Sequence, residues 1–99
     1  MDLSCKPRRV PAFRLEKIDD ELLLYHPSQT TIMYCNPSAS LIWQLCDGER
    51  TIEEIIALLS TAYEQPVEAM SAEVTTTLVQ FHKHQAIEYA GEEKGRRSG

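Results

Sequence analysis

The chain has 99 residues, of which 42 % are hydrophobic, and carries a formal net charge of −5. This length predicts one small domain with its own core and little room for a deep catalytic cleft. Residues 10–89 hold four basic against twelve acidic residues, and because an acidic body repels phosphate backbones, the composition argues against nucleic acid as the ligand.

The cysteines and the apolar runs indicate the compartment. The three cysteines are odd in number and form no C-x-x-C pair, which argues against a disulfide framework or a structural zinc site and suits a reducing cytosol. No apolar run approaches the roughly 20 residues that a membrane span needs. The N-terminus lacks the apolar region of a secretory signal. We therefore expect a cytoplasmic protein with no membrane contact, no metal and no cofactor.

The first third of the chain predicts a meander of three antiparallel strands. "AFRLEKI" alternates apolar and charged residues, which is typical of a half-buried strand. "ELLLYH" follows the Asp19-Asp20 turn, and "QTTIMYC", rich in β-branched and aromatic residues, follows Pro27-Ser28.

From Asn36 onward the apolar period becomes helical. Asn36 is a predicted N-cap with Pro37 at the first helical position, and Gly48 is predicted to end this helix in the left-handed conformation. Thr51 and Glu54 predict a capping box for a second helix. Pro66 opens a third helix, and "AIEY" after it predicts a short strand.

The chain divides into three predicted segments: a flexible N-terminal segment at 1–9, a folded domain at 10–90 and a disordered tail at 91–99. The fold class is α+β, with an N-terminal three-stranded antiparallel sheet followed by three helices. That order is winged-helix-like.

The stretch "TIMYCNPSASLIWQLCDGERTIEEIIALL" resembles the PqqD-like family of small peptide chaperones, also called RiPP recognition elements, which act on ribosomally made, post-translationally modified peptides. The resemblance lies in a strand ending in a helix-capping Asn, small residues, an apolar helix, Asp-Gly, and Thr before an acidic-Ile pair. These features stand at Asn36, Ser38, Ala39, Ile42 to Leu45, Asp47-Gly48, Thr51 and Glu54-Ile55. The likeness covers about Pro7 to Tyr89.

Two positions depart from the family pattern. Cys35 stands where the family usually has Leu. Gln85 stands where the family usually has a helix-ending Gly, and a positive φ at Gln85 would cost on the order of 1 kcal/mol.

No residue pattern predicts catalysis. His82 and His84 are two apart, so on a helix they point in different directions and cannot share a metal ion. Cys35 and Cys46 lack an identifiable base and orienting group, and buried structural thiols are the better interpretation. The expected protein is not an enzyme.

The third predicted strand is a candidate binding edge because it carries no charge and no proline, the residues that usually protect a strand edge from pairing. Sequence alone leaves open whether the protein covers this edge or keeps it free. The resemblance implies that it is free, and that a leader peptide adds to it as a strand and lies against the third helix.

The candidate peptide-binding residues combine the strand with the apolar stripe of the third helix. Whether Thr31 and Met33 or Ile32 and Tyr34 face the pocket stays open, and a core role is an equal alternative for Leu78 and Phe81. The full set is Thr30, Thr31, Ile32, Met33, Tyr34, Met70, Val74, Leu78 and Phe81.

The favoured hypothesis is a non-catalytic chaperone that binds the leader of a precursor peptide and presents it to a modifying enzyme. The resemblance implies that this partner is a radical SAM enzyme or a leader peptidase, and that coenzyme PQQ is one of several possible products. Two alternatives remain: a winged-helix DNA-binding protein, and a self-associating adaptor in which the free edge pairs with a second copy in a homodimer.

Overall fold

The computed structural model describes residues 2–30 and 32–90. The elements in chain order are β1 (Pro7–Arg9), β2 (Arg14–Ile18), β3 (Glu21–Tyr25), β4 (Ile32–Cys35), α1 (Pro37–Leu45), α2 (Ile52–Tyr63), α3 (Val67–Lys83) and β5 (Ile87–Tyr89).

The three-stranded sheet has the order β2-β3-β4, and both pairs are antiparallel. Leu15, Leu24 and Met33 stand opposite one another across the strands. All three belong to the core or pack against it. The α+β class, with a three-stranded antiparallel sheet ahead of three helices, is therefore confirmed.

The helix starts follow their predicted capping residues. Asn36 accepts a hydrogen bond from the Ala39 backbone N–H at 2.7 Å. The Thr51 hydroxyl accepts from the Glu54 N–H at 3.1 Å, and the Glu54 carboxylate accepts from the Thr51 N–H at 2.8 Å. Pro66 precedes α3 without a side-chain cap. Because these bonds satisfy otherwise unpaired backbone donors, the residue types alone located the starts of α1 and α2.

The end of α1 differs from its prediction. Gly48 has the expected left-handed φ of +80°, but α1 ends at Leu45 with Cys46 as its C-cap. Gly48 lies in the following turn, where its N–H donates to the Pro7 carbonyl. An added Cβ on Gly48 would lie 3.4 Å from the Arg8 side chain, so this turn packs tightly against β1.

Among the described residues, β1 and β5 form a second, two-stranded sheet, paired antiparallel with Pro7 opposite Tyr89. The strand predicted from "AIEY" is therefore present as β5. Its partner β1 falls inside the segment 1–9 that the sequence predicts to be flexible. In β1, backbone hydrogen bonds to β5 replace those to water, and Pro7 is among the fully buried residues. The predicted tail at 91–99 lies outside the described residues.

The core lies between the sheet and the three helices. α2 contributes Ile52, Ile55, Ile56 and Leu59, and α3 contributes Met70, Val74, Leu78 and Phe81. The last residue of α2 and the first residue of α3 are exposed: Tyr63 at 41 % and Val67 at 56 %. These two residues flank the α2–α3 turn.

The last turn of α3 carries the departure noted at Gln85. This residue has a φ of +64°, the left-handed conformation in which glycine is cheapest. Its N–H donates to the His82 carbonyl, and the Ala86 N–H donates to the Phe81 carbonyl at 2.8 Å. The turn that follows α3 therefore places a non-glycine residue in a left-handed conformation, which carries a conformational cost.

Candidate functional site

β4 is an edge of the three-stranded sheet. Its pairing among the described residues is with β3 alone, from Leu22 opposite Cys35 to Tyr25 opposite Ile32. In an antiparallel pair, alternate residues direct their N–H and C=O groups away from the partner. β4 therefore presents backbone donors and acceptors to solvent along one side.

The structure settles which residues of β4 face inward. Met33 and Cys35 are half-buried and pack against the core. Ile32 and Tyr34 are 47 % and 73 % exposed. The side chains therefore alternate, with Met33 and Cys35 towards the helices and Ile32 and Tyr34 towards solvent.

The two edges of the sheet differ in charge. β2, at the far edge, contains Arg14, Glu16 and Lys17, which is the usual protection against pairing with another chain. β4, with the sequence IMYC, has no charged residue. Of these two edges, β4 is the one whose composition permits an added strand.

A groove of about 370 Å³ runs between β4 and α3. All four residues of β4 line it, together with one residue at the start of α1 and the C-terminal half of α3. The remaining lining residues are Ala39, Thr76, Thr77, Gln80, Phe81 and His84. Because the open edge and the groove lie side by side, a strand added to β4 would place alternate side chains into the groove.

A larger shallow hollow lies on the outer face of α2, around Ala57, Leu58 and Ala62. It is formed by one helix and the turn before it. It offers no strand edge, so an extended peptide would gain no backbone hydrogen bonds there.

The predicted site residues separate into three groups. Ile32, Met33, Tyr34 and Phe81 line the groove. Met70, Val74 and Leu78 are buried to 3 %, 0 % and 0 % exposure on the core face of α3 and do not line the groove. Thr30 is exposed ahead of β4, and Thr31 lies outside the described residues.

Three of the four predicted α3 residues lie on the face towards the core, because apolar residues at spacings of three and four mark that face of a helix. Besides Phe81, the groove is lined by Thr76, Thr77 and Gln80 in the second half of α3 and by His84 just after the helix. The run Thr75–Thr77 was the available signal in the sequence, since three β-branched residues are unfavourable within a helix.

Two groove residues carry groups that are chemically reactive in other settings, Cys35 and His84. Burial raises the pKa of the Cys35 thiol above its ordinary value, whereas reactive thiols have a lowered pKa. Within residues 2–30 and 32–90, no three His, Cys, Asp or Glu side chains come close enough together to hold a metal ion.

The family model for coenzyme PQQ synthesis protein D (PqqD) matches residues 21–87, which is more than half of the chain. The chain belongs to the PqqD family. The match starts at β3 and ends at the first residue of β5, so it includes β4, α3 and the whole groove.

PqqD membership implies involvement in the synthesis of coenzyme PQQ and partnership with other proteins of that pathway. Members of the PqqD family are non-catalytic accessory proteins. Comparison with curated proteins and with solved structures gave no significant match. In the part of the chain that the structure describes, every helix is too short or too polar to cross a bilayer.

Proposed function

We propose that this PqqD-family chain binds the leader segment of a ribosomal precursor peptide by strand addition to β4 and presents the peptide to a modifying enzyme. The observation that carries the proposal is an uncharged strand edge directly beside a groove. Main-chain hydrogen bonds along β4 would supply affinity, and the groove would select side chains.

The dimensions of the groove suit an extended peptide. β4 has four residues, so it spans about 13 Å at the usual rise per residue. Side chains at alternate positions of an added strand would reach Met33, Cys35 and Phe81. The remaining positions would lie beside the exposed Ile32 and Tyr34. We therefore expect a ligand segment with apolar residues at alternate positions.

The chain itself would do no chemistry. Burial raises the pKa of the Cys35 thiol, whereas a nucleophilic cysteine is activated by a lowered pKa. The chain would act by holding its substrate near the active site of the partner, which raises the effective concentration of the substrate. A radical SAM enzyme or a leader peptidase is the partner class that the family resemblance implies.

The test uses two matched Tyr→Lys variants. Tyr34→Lys places a charge on the open edge, and Tyr34 is 73 % exposed, so the core is undisturbed. Tyr63→Lys makes the same change on α2, outside the groove. Isothermal titration with the short peptide encoded beside the gene of this protein should show weaker binding to Tyr34→Lys by at least about tenfold, since an unpaired charge protects an edge from pairing.

The control Tyr63→Lys should bind like the unmodified chain. Amide shifts of the isotope-labelled protein should concentrate in β4 and in residues 76–84 of α3. Equal binding by both variants, or shifts centred on another surface, would refute the proposal. Sedimentation across concentrations separates leader binding from the alternative in which β4 pairs with β4 of a second copy, because Tyr34→Lys would then change the mass of the particle.

A further inference from the structure

Carboxylates lie close to one end of the groove, just outside its lining. The Ser38 hydroxyl, at the start of α1, donates a hydrogen bond to the Glu73 carboxylate of α3. Ser38 precedes the groove residue Ala39, and Glu73 lies one turn before Thr76 and Thr77. The bond therefore holds the Glu73 carboxylate at the end of the groove nearest Cys35.

Two more carboxylates lie at this same end. Asp20, in the turn between β2 and β3, and Glu21, the first residue of β3, line a hollow together with Tyr34 and Cys35. The hollow and the groove share Tyr34 and Cys35, so the carboxylates reach the Cys35 end from two sides. Neither Glu73 nor Asp20 nor Glu21 forms an ion pair with any residue in the described ranges.

The opposite end has a different character. Ile32 is about 10 Å from Cys35 along β4, given the rise of a strand. His84 is about 12 Å from Thr76 along α3, given the rise of a helix. The Ser38–Glu73 hydrogen bond places the earlier part of α3 beside the Cys35 end of β4. Ile32, at the other end of β4, therefore lies nearest Gln80 and His84. None of the residues that line the groove is acidic, so the three carboxylates lie beyond its Cys35 end and not inside it.

We infer that the peptide recognised by this groove carries a Lys or Arg side chain at the Cys35 end, where it pairs with Glu73. This inference rests on the proposed function and adds the chemical class of its substrate. A cation there would lie beside the Glu73 carboxylate and near the end of the sheet that carries Asp20 and Glu21, and it would be attracted by their negative charge. Charged groups at the rim of a site contribute more to register and selectivity than to affinity. The basic residue would therefore determine how the strand aligns along β4.

The size of the effect follows from the exposure of the groups. Glu73, Asp20 and Glu21 are all exposed, and an exposed ion pair contributes at most a modest amount, so loss of the cation should weaken binding by about three- to fivefold. The difference should shrink at high salt, because mobile ions screen exposed charges.

The test is selection from a phage-displayed library of random decapeptides against three versions of the full chain. These are the unmodified protein, Glu73→Gln, and the control Glu68→Gln, which removes a carboxylate from α3 outside the groove. An enriched peptide is then synthesised with its Lys or Arg and with Gln in that place. Fluorescence anisotropy compares the two peptides at low and high salt.

The unmodified protein and Glu68→Gln should both enrich a strand-like motif with a basic residue at one fixed position. Glu73→Gln should enrich a similar motif that has no preference for a basic residue there. A strand-like motif whose amide shifts map to β4 and α3 but which shows no basic preference would overturn this inference and leave the proposed function standing. Peptides whose shifts map elsewhere, or an absence of any enriched peptide, would overturn both.

Discussion

Replacement of Leu78 by Ala distinguishes a core residue from a ligand-contacting residue on α3. Leu78 is 0 % exposed, so the change removes buried methyl groups and leaves a cavity. Such substitutions lower the free energy of unfolding by about 3–5 kcal/mol. A domain of this size has a free energy of unfolding of about 5–15 kcal/mol, so the variant should lose a large fraction of its stability.

Thr76→Ala is the matched control. Thr76 lies two residues earlier on the same helix, is exposed, and lines the groove. Because Ala favours the helix more than Thr does, this variant should keep its stability or gain roughly 0.5 kcal/mol. Its effect, if the groove binds the leader, should fall on peptide affinity.

The assay is urea unfolding followed through Trp43, the single tryptophan of the chain. Its side chain is 8 % exposed, and its indole N–H donates to the Ala86 carbonyl at 3.2 Å, so its fluorescence should shift to the red when the core opens. Leu78→Ala should also lower the melting temperature by at least about 12 °C. A Leu78→Ala variant with unchanged stability but impaired peptide binding would refute the placement of Leu78 in the core.

Three further predictions test local features. Gln85→Gly should raise the free energy of unfolding, measured by thermal melts, by about 0.5–1 kcal/mol. Glycine adopts the left-handed φ without strain, and this gain should exceed the loss caused by the greater flexibility of the unfolded chain. Gln85→Ala keeps a side chain at the same φ, so an equal gain in that variant would exclude backbone strain as the cause. Thr51→Ala should lower the free energy of unfolding, measured by denaturant unfolding, by about 1 kcal/mol, because the capping box is lost. Thr51→Ser keeps the hydroxyl and should retain most of that stability. Equal losses in the two variants would show that the hydrogen bond to the hydroxyl does not stabilise α2. Cys35 should react with iodoacetamide more slowly than an unfolded cysteine at pH 8, as measured by peptide mass spectrometry, and bound leader should slow the reaction further. Because burial raises the pKa of this thiol, the reaction rate should rise with pH through a midpoint above that of a free thiol. A fast reaction near neutral pH would contradict the half-buried position of Cys35 in the groove.

Local chemistry made the order of elements readable in the sequence. Asn36, Thr51 and Glu54 form hydrogen bonds with backbone groups within three residues of themselves. Their capping role therefore does not depend on the rest of the fold. The same holds for the left-handed φ of Gly48. The alternation in β2 and the change to a helical period at Asn36 likewise reflect only the geometry of a strand and a helix. The uncharged composition of β4 could be recognised in the same way.

Only the tertiary structure decided which surfaces are open. The apolar stripe of α3 is the strongest pattern in that helix. It marks the face that packs against the rest of the domain rather than the groove, because residues that are always buried are the most strongly apolar. The groove depends on Ala39 of α1 and on the positions of Thr76 and His84 relative to β4, which are distant in the sequence. The pairing of β1 with β5 is also non-local, since it joins residues 7–9 to residues 87–89. Contacts between distant segments carry little signal in the local pattern of either segment, so the sequence determined the elements of this protein and the packing determined its candidate site.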